Sequence, residues 1–301
     1  MKLDAVRTFC RFLYAFPGTG LPRGGEVIRR IMARWAFAHP EKAILFINDF
    51  CGDLNFYCDL SEHMGSQIYF RGSYSGDQLT VLLELLTPDA IFVDAGANQG
   101  EFTVCAAGAL PRGQVFSFEP VAKVRERLER NVQANGFDNV TIYEVGLSDA
   151  EQDDVPIFGA QSKFADGTQH IGLPTLFDMN GRSEQLDVVN LRRLDDILPE
   201  GQRIDVIKVD VEGAELAVLR GAETTILREK PAIIFEANAE TCKAAGYSVE
   251  NLCDWLLQRG YALERIGQNG DLAPVSEQVP FSNILARHPD RRSMLQTGKV
   301  S

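Results

Sequence analysis

Four apolar runs in this sequence each lead into a carboxylate: Asp94 after AIFV, Glu119 after QVFSF, Asp210 after IDVIKV and Glu236 after AIIF. In an open parallel sheet, ligands bind beyond the carboxyl ends of the strands, so these four acids share the edge where chemistry is done. One acid at a strand end can simply cap the next helix. Four along one edge describe an acidic crevice suited to a ligand with hydroxyls and a positive charge. The turn after the first run reads Asp94-Ala-Gly-Ala-Asn-Gln-Gly100. Gly96 permits a tight turn, and Gly100 lets the following helix approach the strand. A dinucleotide fingerprint also needs glycine at position 98, where backbone meets pyrophosphate, and Asn98 there argues against NAD or FAD. Glu119 lies about twenty residues beyond that turn, the position from which an acid reaches both ribose hydroxyls. The expected ligand is a nucleoside without a pyrophosphate.

Lys208 and Asp210 are two apart on one strand and therefore share a face. A lysine inside an apolar strand is rarely buried without a partner. Two readings follow. Lys208 forms a structural ion pair with Asp210 or Glu236, or one of those acids accepts a proton from a bound hydroxyl while Lys208 tunes or positions it. Glu212 and Glu215 sit at the start of the next helix, where acids complement its dipole. His39, His63, His170 and His288 fall outside these motifs. His170 lies in a long insert, where a plain loop role outweighs that of a base carried on a lid. Six cysteines show no CxxC spacing, and Cys51 with Cys58 is at most half of a metal site. No metal site is expected.

These residues need a scaffold, and from Gly76 onward strands alternate with helices: DQLTVLLELL, AIFVDAG, a helix near 100–109, QVFSFEP, VAKVRERLERNVQANG and VTIYEV. After an interruption come IDVIKVDV, AELAVLRGAETTIL, AIIFEAN, VENLCDWLLQRG, YALERI and a last strand FSNILAR. Continuous apolar strands between helices imply a mostly parallel α/β sheet covered on both faces. Residues 76–301 are expected to form this domain, with an insert at about 148–185 too long for an ordinary connection. Its Gly159, Gly167, Gly172 and Gly181 and its low apolar content fit a mobile lid or acceptor wall. Residues 1–75 read as an extension: two helices parted by FPGTGLPRGG, then strand-like AILFI, LNFYCDL and QIYF. The aromatic stripe Phe9, Phe12, Phe16, Trp35 and Phe37 fits a helical cap on the main domain or on a homodimer mate better than a membrane contact.

The chain of 301 residues carries a net charge of −12, which repels polyphosphate. Nucleic acid and a strongly anionic bilayer are therefore not expected as main partners. No apolar run approaches the about 18 residues of a spanning helix, so no stable membrane insertion is expected. The first stretch is broken by Asp4, Arg7 and Arg11 and does not read as a signal peptide; with scattered thiols, a cytoplasmic protein is expected.

D-A-G-A-N-Q-G at 94–100, F-E-P at 118–120, G-L-S-D at 146–149 and I-K-V-D-V-E-G-A-E at 207–215, in that order, resemble the FkbM family of S-adenosylmethionine-dependent methyltransferases. I-Y-F-R-G-S-Y at 68–74, L-D-D-I at 194–197, L-R-G-A at 219–222 and N-I-L at 283–285 support the resemblance. It implies a Rossmann-like class I methyltransferase sheet, S-adenosyl-L-methionine as cofactor, and O-methylation of a hydroxyl on a sugar, glycan or secondary metabolite. Asp94, Gly96 and Asn98, with Gly100, would surround the methionine part. Glu119, followed by Pro120, would bind the ribose, and Asp149 beside Ser148 the adenine amino group. Asp210, Lys208 and Glu236 form the expected catalytic set. One rival is a magnesium-dependent O-methyltransferase using Asp210, Glu236 and Glu212. Another is a non-catalytic nucleoside-binding domain, disfavoured because Asp94, Glu119 and Asp210 are all present. A nicotinamide oxidoreductase is disfavoured by Asn98 and by the lack of a Tyr-x-x-x-Lys pair.

Overall fold

The computed structural model describes residues 3–15, 21–160, 174–177, 183–275 and 280–291. The extension begins with helices α1 (Leu3–Tyr14) and α2 (Leu21–Ala38), then the hairpin strands β1 (Ile44–Phe50) and β2 (Leu54–Asp59), then helix α3 (His63–Arg71). Helix α4 (Gly76–Leu85) leads into β3 (Ile91–Ala95), α5 (Glu101–Ala109), β4 (Gln114–Phe118), α6 (Ala122–Gln133) and β5 (Val140–Tyr143). Next come β6 (Gly146–Leu147), β7 (Gln152–Ala160), β8 (Ser183–Arg192) and the short α7 (Leu194–Ile197). The chain continues through β9 (Val206–Val209), α8 (Glu215–Gly221), α9 (Glu223–Glu229), β10 (Ala232–Asn238), α10 (Ala239–Ala244) and α11 (Val249–Leu257). Strands β11 (Ala262–Ile266), β12 (Leu272–Pro274) and β13 (Phe281–Arg287) complete it.

Eight strands form the main sheet in the order β12-β11-β13-β10-β9-β3-β4-β5. Its centre, β10-β9-β3-β4-β5, is parallel throughout, as the apolar strands between helices require. Strand β13 runs antiparallel between β10 and β11. The pleat sorts residues strictly by parity. Phe92, Val115, Val206, Ile234 and Leu285 join one core with α1, α3, α4, α5 and the β1–β2 hairpin. Val93, Phe116, Ile207, Ile233 and Ile284 join the other core with α8, α9 and α11. Helices thus cover both faces, and the extension shares its hydrophobic core with one of them. The expected Rossmann-like sheet, mostly parallel with helices on both faces, is present.

Three local expectations change. QIYF is not a strand but the second half of α3. A short apolar run suits either state, and here residues 65–70 are all buried while Gly72, at φ 100°, closes the helix in the left-handed region. A Cβ on Gly65 would lie 2.4 Å from the Asp59 carbonyl oxygen, so only glycine lets α3 press on the end of β2. AELAVLRGAETTIL is two helices, parted at Ala222. A second sheet of order β6-β8-β7 frames the insert, which contributes β7 and the start of β8; β7 is hidden in the sequence by Asp153, Asp154 and Pro156. Proline is tolerated because β7 is an edge strand. His170, Gly167, Gly172 and Gly181, like Phe16, lie outside the described residues.

Candidate active site

The chain leaves β3 toward β4 and β5 on one side and returns through β9 and β10 on the other. The strand order therefore switches between β3 and β9, and their carboxyl ends open into a crevice. A cavity of about 340 Å³ lies there. Gly96, Asn98, Glu119, Pro120, Lys208, Asp210 and Glu236 all line it. Asp94, Gly100, Ser148 and Asp149 do not.

The same parity that sorts the cores builds the site. Asp94 pairs in register with Ser117 on β4 and with Lys208 on β9, and Glu236 pairs with Asn283 on β13. These side chains continue the face of Phe92, Val206, Ile234 and Leu285, at the point where apolar residues give way to polar ones. Lys208 is buried with its Nζ 3.4 Å from Asp210 Oδ2 and 3.5 Å from Asp94 Oδ1. It also donates to the Gly96 carbonyl at 3.4 Å and lies 4.5 Å above the Phe102 ring. Burial works against the ammonium, but Asp210 and Asp94 outweigh it and hold its pKa above the ordinary lysine value. Asp94 is fully buried behind the cavity and accepts a 2.7 Å hydrogen bond from Thr103 Oγ1. It was expected around the methionine part of the cofactor; here it braces Lys208 from beneath.

Glu119 sits just past β4 with both oxygens engaged. Asn98 N–H donates to Oε2 and Val121 N–H to Oε1, each at 3.0 Å. Asn98 reaches this position in the left-handed region, at φ 51°. Burial pushes the Glu119 carboxyl up to about 7 despite those donors. Each oxygen keeps a second lone pair for a hydroxyl in the cavity. Pro120, Leu147, Ile157, Leu176 and Leu191 form an apolar wall next to it, drawn partly from the insert. Ser148 and Asp149, expected beside an adenine, do not line the cavity. A Cβ on Gly221 would lie 1.9 Å from the Ser148 carbonyl oxygen, and the Asp149 carboxylate faces Arg220 at 4.0 Å in a neighbouring groove. Gly100, at φ 95°, serves packing: a Cβ there would lie 2.7 Å from Leu128 Cδ1.

At the other end of the cavity the acids crowd together. Burial, then the Asp210 charge, pushes Glu236 up to about 8. Glu212, in the left-handed region at φ 50°, is pushed well above the carboxylate range by burial and by Asp210 and Glu236. Thr175 Oγ1 donates to its carbonyl at 2.9 Å, tying the insert to this turn. Two lining residues carried no role in the sequence reading. Glu101, the first residue of α5, is buried, and its Oε1 accepts the Tyr74 N–H at 2.6 Å while Oε2 accepts the Ser75 N–H at 3.1 Å. It thereby holds the segment before α4 over the cavity. Tyr74 faces the acids, and burial followed by the Asp210 and Glu212 charges raises its hydroxyl pKa far above the ordinary value. The signals were an acid directly after Gly100 and a tyrosine ending I-Y-F-R-G-S-Y. Among the described residues, no group of three or more His, Cys, Asp or Glu is arranged to hold a metal ion.

Glu101 and Glu119, both near 7, and Glu236, near 8, have folded-state pKa values above those of the unfolded chain. Their neutral forms are favoured by folding, so their contribution to stability is complete below the unfolded value and lost as pH rises through 7 and 8. The stability of the ligand-free protein, and its melting temperature with it, is expected to fall between about pH 5 and pH 8, the free energy by up to about 1.4 kcal/mol per pH unit for each group. Thermal scans flat across that window would contradict these assignments.

Comparison with known proteins bears on this geometry. The family model described as the methyltransferase FkbM domain matches residues 94–263. The chain is 29% identical over 230 residues to the AMB antimetabolite synthetase AmbE of Pseudomonas aeruginosa, covering 67% of this chain and 10% of that protein. It therefore spans about a tenth of that longer relative. It is 28% identical over 232 residues to methyltransferase sdnD of Sordaria araneosa, covering 68% of this chain and 84% of that protein. It is 32% identical over 165 residues to the 2-O-methyltransferase NoeI of Sinorhizobium fredii, covering 51% of this chain and 65% of that protein. With its family model extending from Asp94 on β3 into β11, over more than half of its length, the chain belongs to the FkbM methyltransferase family.

Proposed function

We propose that this chain transfers a methyl group from S-adenosylmethionine to a hydroxyl oxygen of a small molecule or glycan. Family membership supports methyl transfer, and the 2-O-methyltransferase NoeI among the relatives supports oxygen as the acceptor atom. One observation carries the reading: a single cavity presents a ribose-competent carboxylate at one end and a lysine-braced carboxylate at the other. The residues fit the cofactor. Gly96, at φ 79°, lets the turn after β3 pack against the Asp210 carbonyl, so that the β3 and β9 turns line one cavity, and Glu119 offers two oriented oxygens beside an apolar wall for the base.

When bound, S-adenosylmethionine supplies an electrophilic methyl on a positively charged sulfur, with a good leaving group. The protein has to hold an acceptor oxygen in line and receive its proton. Asp210 is the carboxylate placed for that: its side chain is 30% exposed into the crevice while Lys208 holds one oxygen. Lys208 is itself fixed by Asp94, so the pair presents Asp210 in one orientation. Glu236, partly protonated near neutral pH, can donate to the acceptor or share its proton. Burial and the Asp210 charge raise the pKa values of Glu212 and Glu236, so this cluster would favour a cationic ligand.

Calorimetric titration with S-adenosylhomocysteine tests the cofactor half. Glu119→Ala removes two charge-assisted hydrogen bonds to ribose, each worth about 1.5–3 kcal/mol, and is expected to weaken affinity by about a hundred-fold or more. Unchanged affinity in a folded Glu119→Ala protein would remove the ribose assignment.

A further inference from the structure

Helix α2 is built inside out. Its buried positions are Gly25, Arg29, Ala33 and Ala36, while Val27 and Ile31 are 56% and 60% exposed. Small residues inside let the helix lie close to its neighbours: a Cβ on Gly25 would already meet the Tyr14 ring at 3.0 Å. Arg29, the long side chain on that face, is held by Glu26 at 2.6 Å and by Ser66 Oγ at 2.8 Å. Ile28, Met32 and Trp35 flank the contact and pack on the core. Among the described residues, the outward face thus leaves the large aliphatics Val27 and Ile31 uncovered. Arg23, Arg30 and Arg34 are exposed as well. Positions 23, 27, 30 and 34, and positions 27, 31, 34 and 38, follow the helical repeat, so arginines and aliphatics interleave on one stripe.

We propose that α2 rests this stripe on an anionic lipid bilayer, with the helix parallel to the surface. Charge selects the occupant. The outward face carries Arg23, Arg30 and Arg34, and the helix's one acid, Glu26, is shared by the buried Arg29 and by Arg30, in a chain of net charge −12. A two-fold contact with a second copy sets the same patch on both sides and brings the arginine stripes together. A bilayer supplies both what the aliphatics and what the guanidinium groups need: acyl chains below, and phosphates at the level to which arginine side chains extend. No helix among the described residues is long and apolar enough to cross a membrane, so the contact is interfacial. The chain's overall negative charge argued against an anionic bilayer, but that balance averages over surfaces α2 does not share. At physiological salt, charges more than about 8 Å away are largely screened.

Sedimentation of the full chain with vesicles tests this. The protein is expected to pellet with vesicles of equal parts phosphatidylglycerol and phosphatidylcholine, to be released by high salt, and to stay in solution with phosphatidylcholine alone. The double variant Arg30→Ser, Arg34→Ser is expected to partition about thirty-fold less, the loss of two arginines at an anionic surface. Ile31→Asp is expected to abolish pelleting. Melting curves and circular dichroism matching the wild type would show that each variant stays folded. A wild-type protein that ignores anionic vesicles, or pelleting that survives both variants, would overturn the proposal. So would a dimer that Ile31→Asp dissociates in the absence of lipid binding, because a second copy would then cover the stripe.

Discussion

Asp210→Asn is expected to lower single-turnover methyl transfer by about a hundred-fold or more, the usual scale for losing a general base. Labelled cofactor, tested on any hydroxyl compound that the wild type methylates, would read the loss. Affinity for S-adenosylhomocysteine should change far less, because Glu119 stands at the opposite end of the cavity. The structure also sharpens the contrary expectation. If Asp210 only paired with Lys208, its loss would leave turnover intact and cost stability. That cost is limited here, since Lys208 keeps Asp94 at 3.5 Å and the Gly96 carbonyl at 3.4 Å. A melting temperature close to wild type with turnover lost would mark Asp210 as the reacting group. Normal turnover in the folded variant would remove it from the reaction.

Gly96→Ala is expected to abolish cofactor binding and to destabilise the fold by several kcal/mol. A methyl group at this position would lie 2.0 Å from the Asp210 carbonyl oxygen, a backbone atom that cannot swing aside, and φ is 79°. The left-handed conformation alone costs about 1–3 kcal/mol for a residue with a side chain, and the clash adds to it. Gly136→Ala is the matched control. Its φ is 65°, but nothing lies within 4 Å of the added methyl, so only the conformational cost remains. Equal melting temperatures for the two variants would show that the approach of the β3 turn to the β9 turn is not what requires glycine.

The large features of this fold were legible because each is written locally. Apolar runs ending in Asp94, Glu119, Asp210 and Glu236 give both the parallel strands and the edge that binds ligand. Partnership across the sheet was not legible. Lys208 was expected to pair with Asp210 or Glu236; Asp210 is there, but the buried partner is Asp94, set opposite it by a register no single segment carries. Asp149 likewise faced the cavity by motif order alone, and the structure turns it to Arg220. Glu101 looked like an ordinary first-turn acid. Only the fold brings Tyr74 and Ser75 back over it, from a segment the sequence grouped with the extension. QIYF misled for a related reason: full burial erases the polar face that distinguishes a helix from a strand.

The contact between Gly96 and the Asp210 carbonyl has a kinetic consequence. The turns after β3 and β9 touch backbone to side-chain-free backbone, so a shift of one is felt by the other. Two segments border the cavity among the described residues: Tyr74–Gln78 on one side, and Ile157, Leu176 and Leu191 on the other. Among the described residues, the first is tied by the Tyr74 and Ser75 amides to Glu101 and by Asp77 to the Asn269 amide, and the second by Thr175 Oγ1 to the Glu212 carbonyl, by Asp187 to the Ala122 amide and by the pairing of β8 with β6. On the proposed function, loosening these ties at Glu101 or Thr175 is expected to alter how long a ligand stays bound without touching the atoms that react.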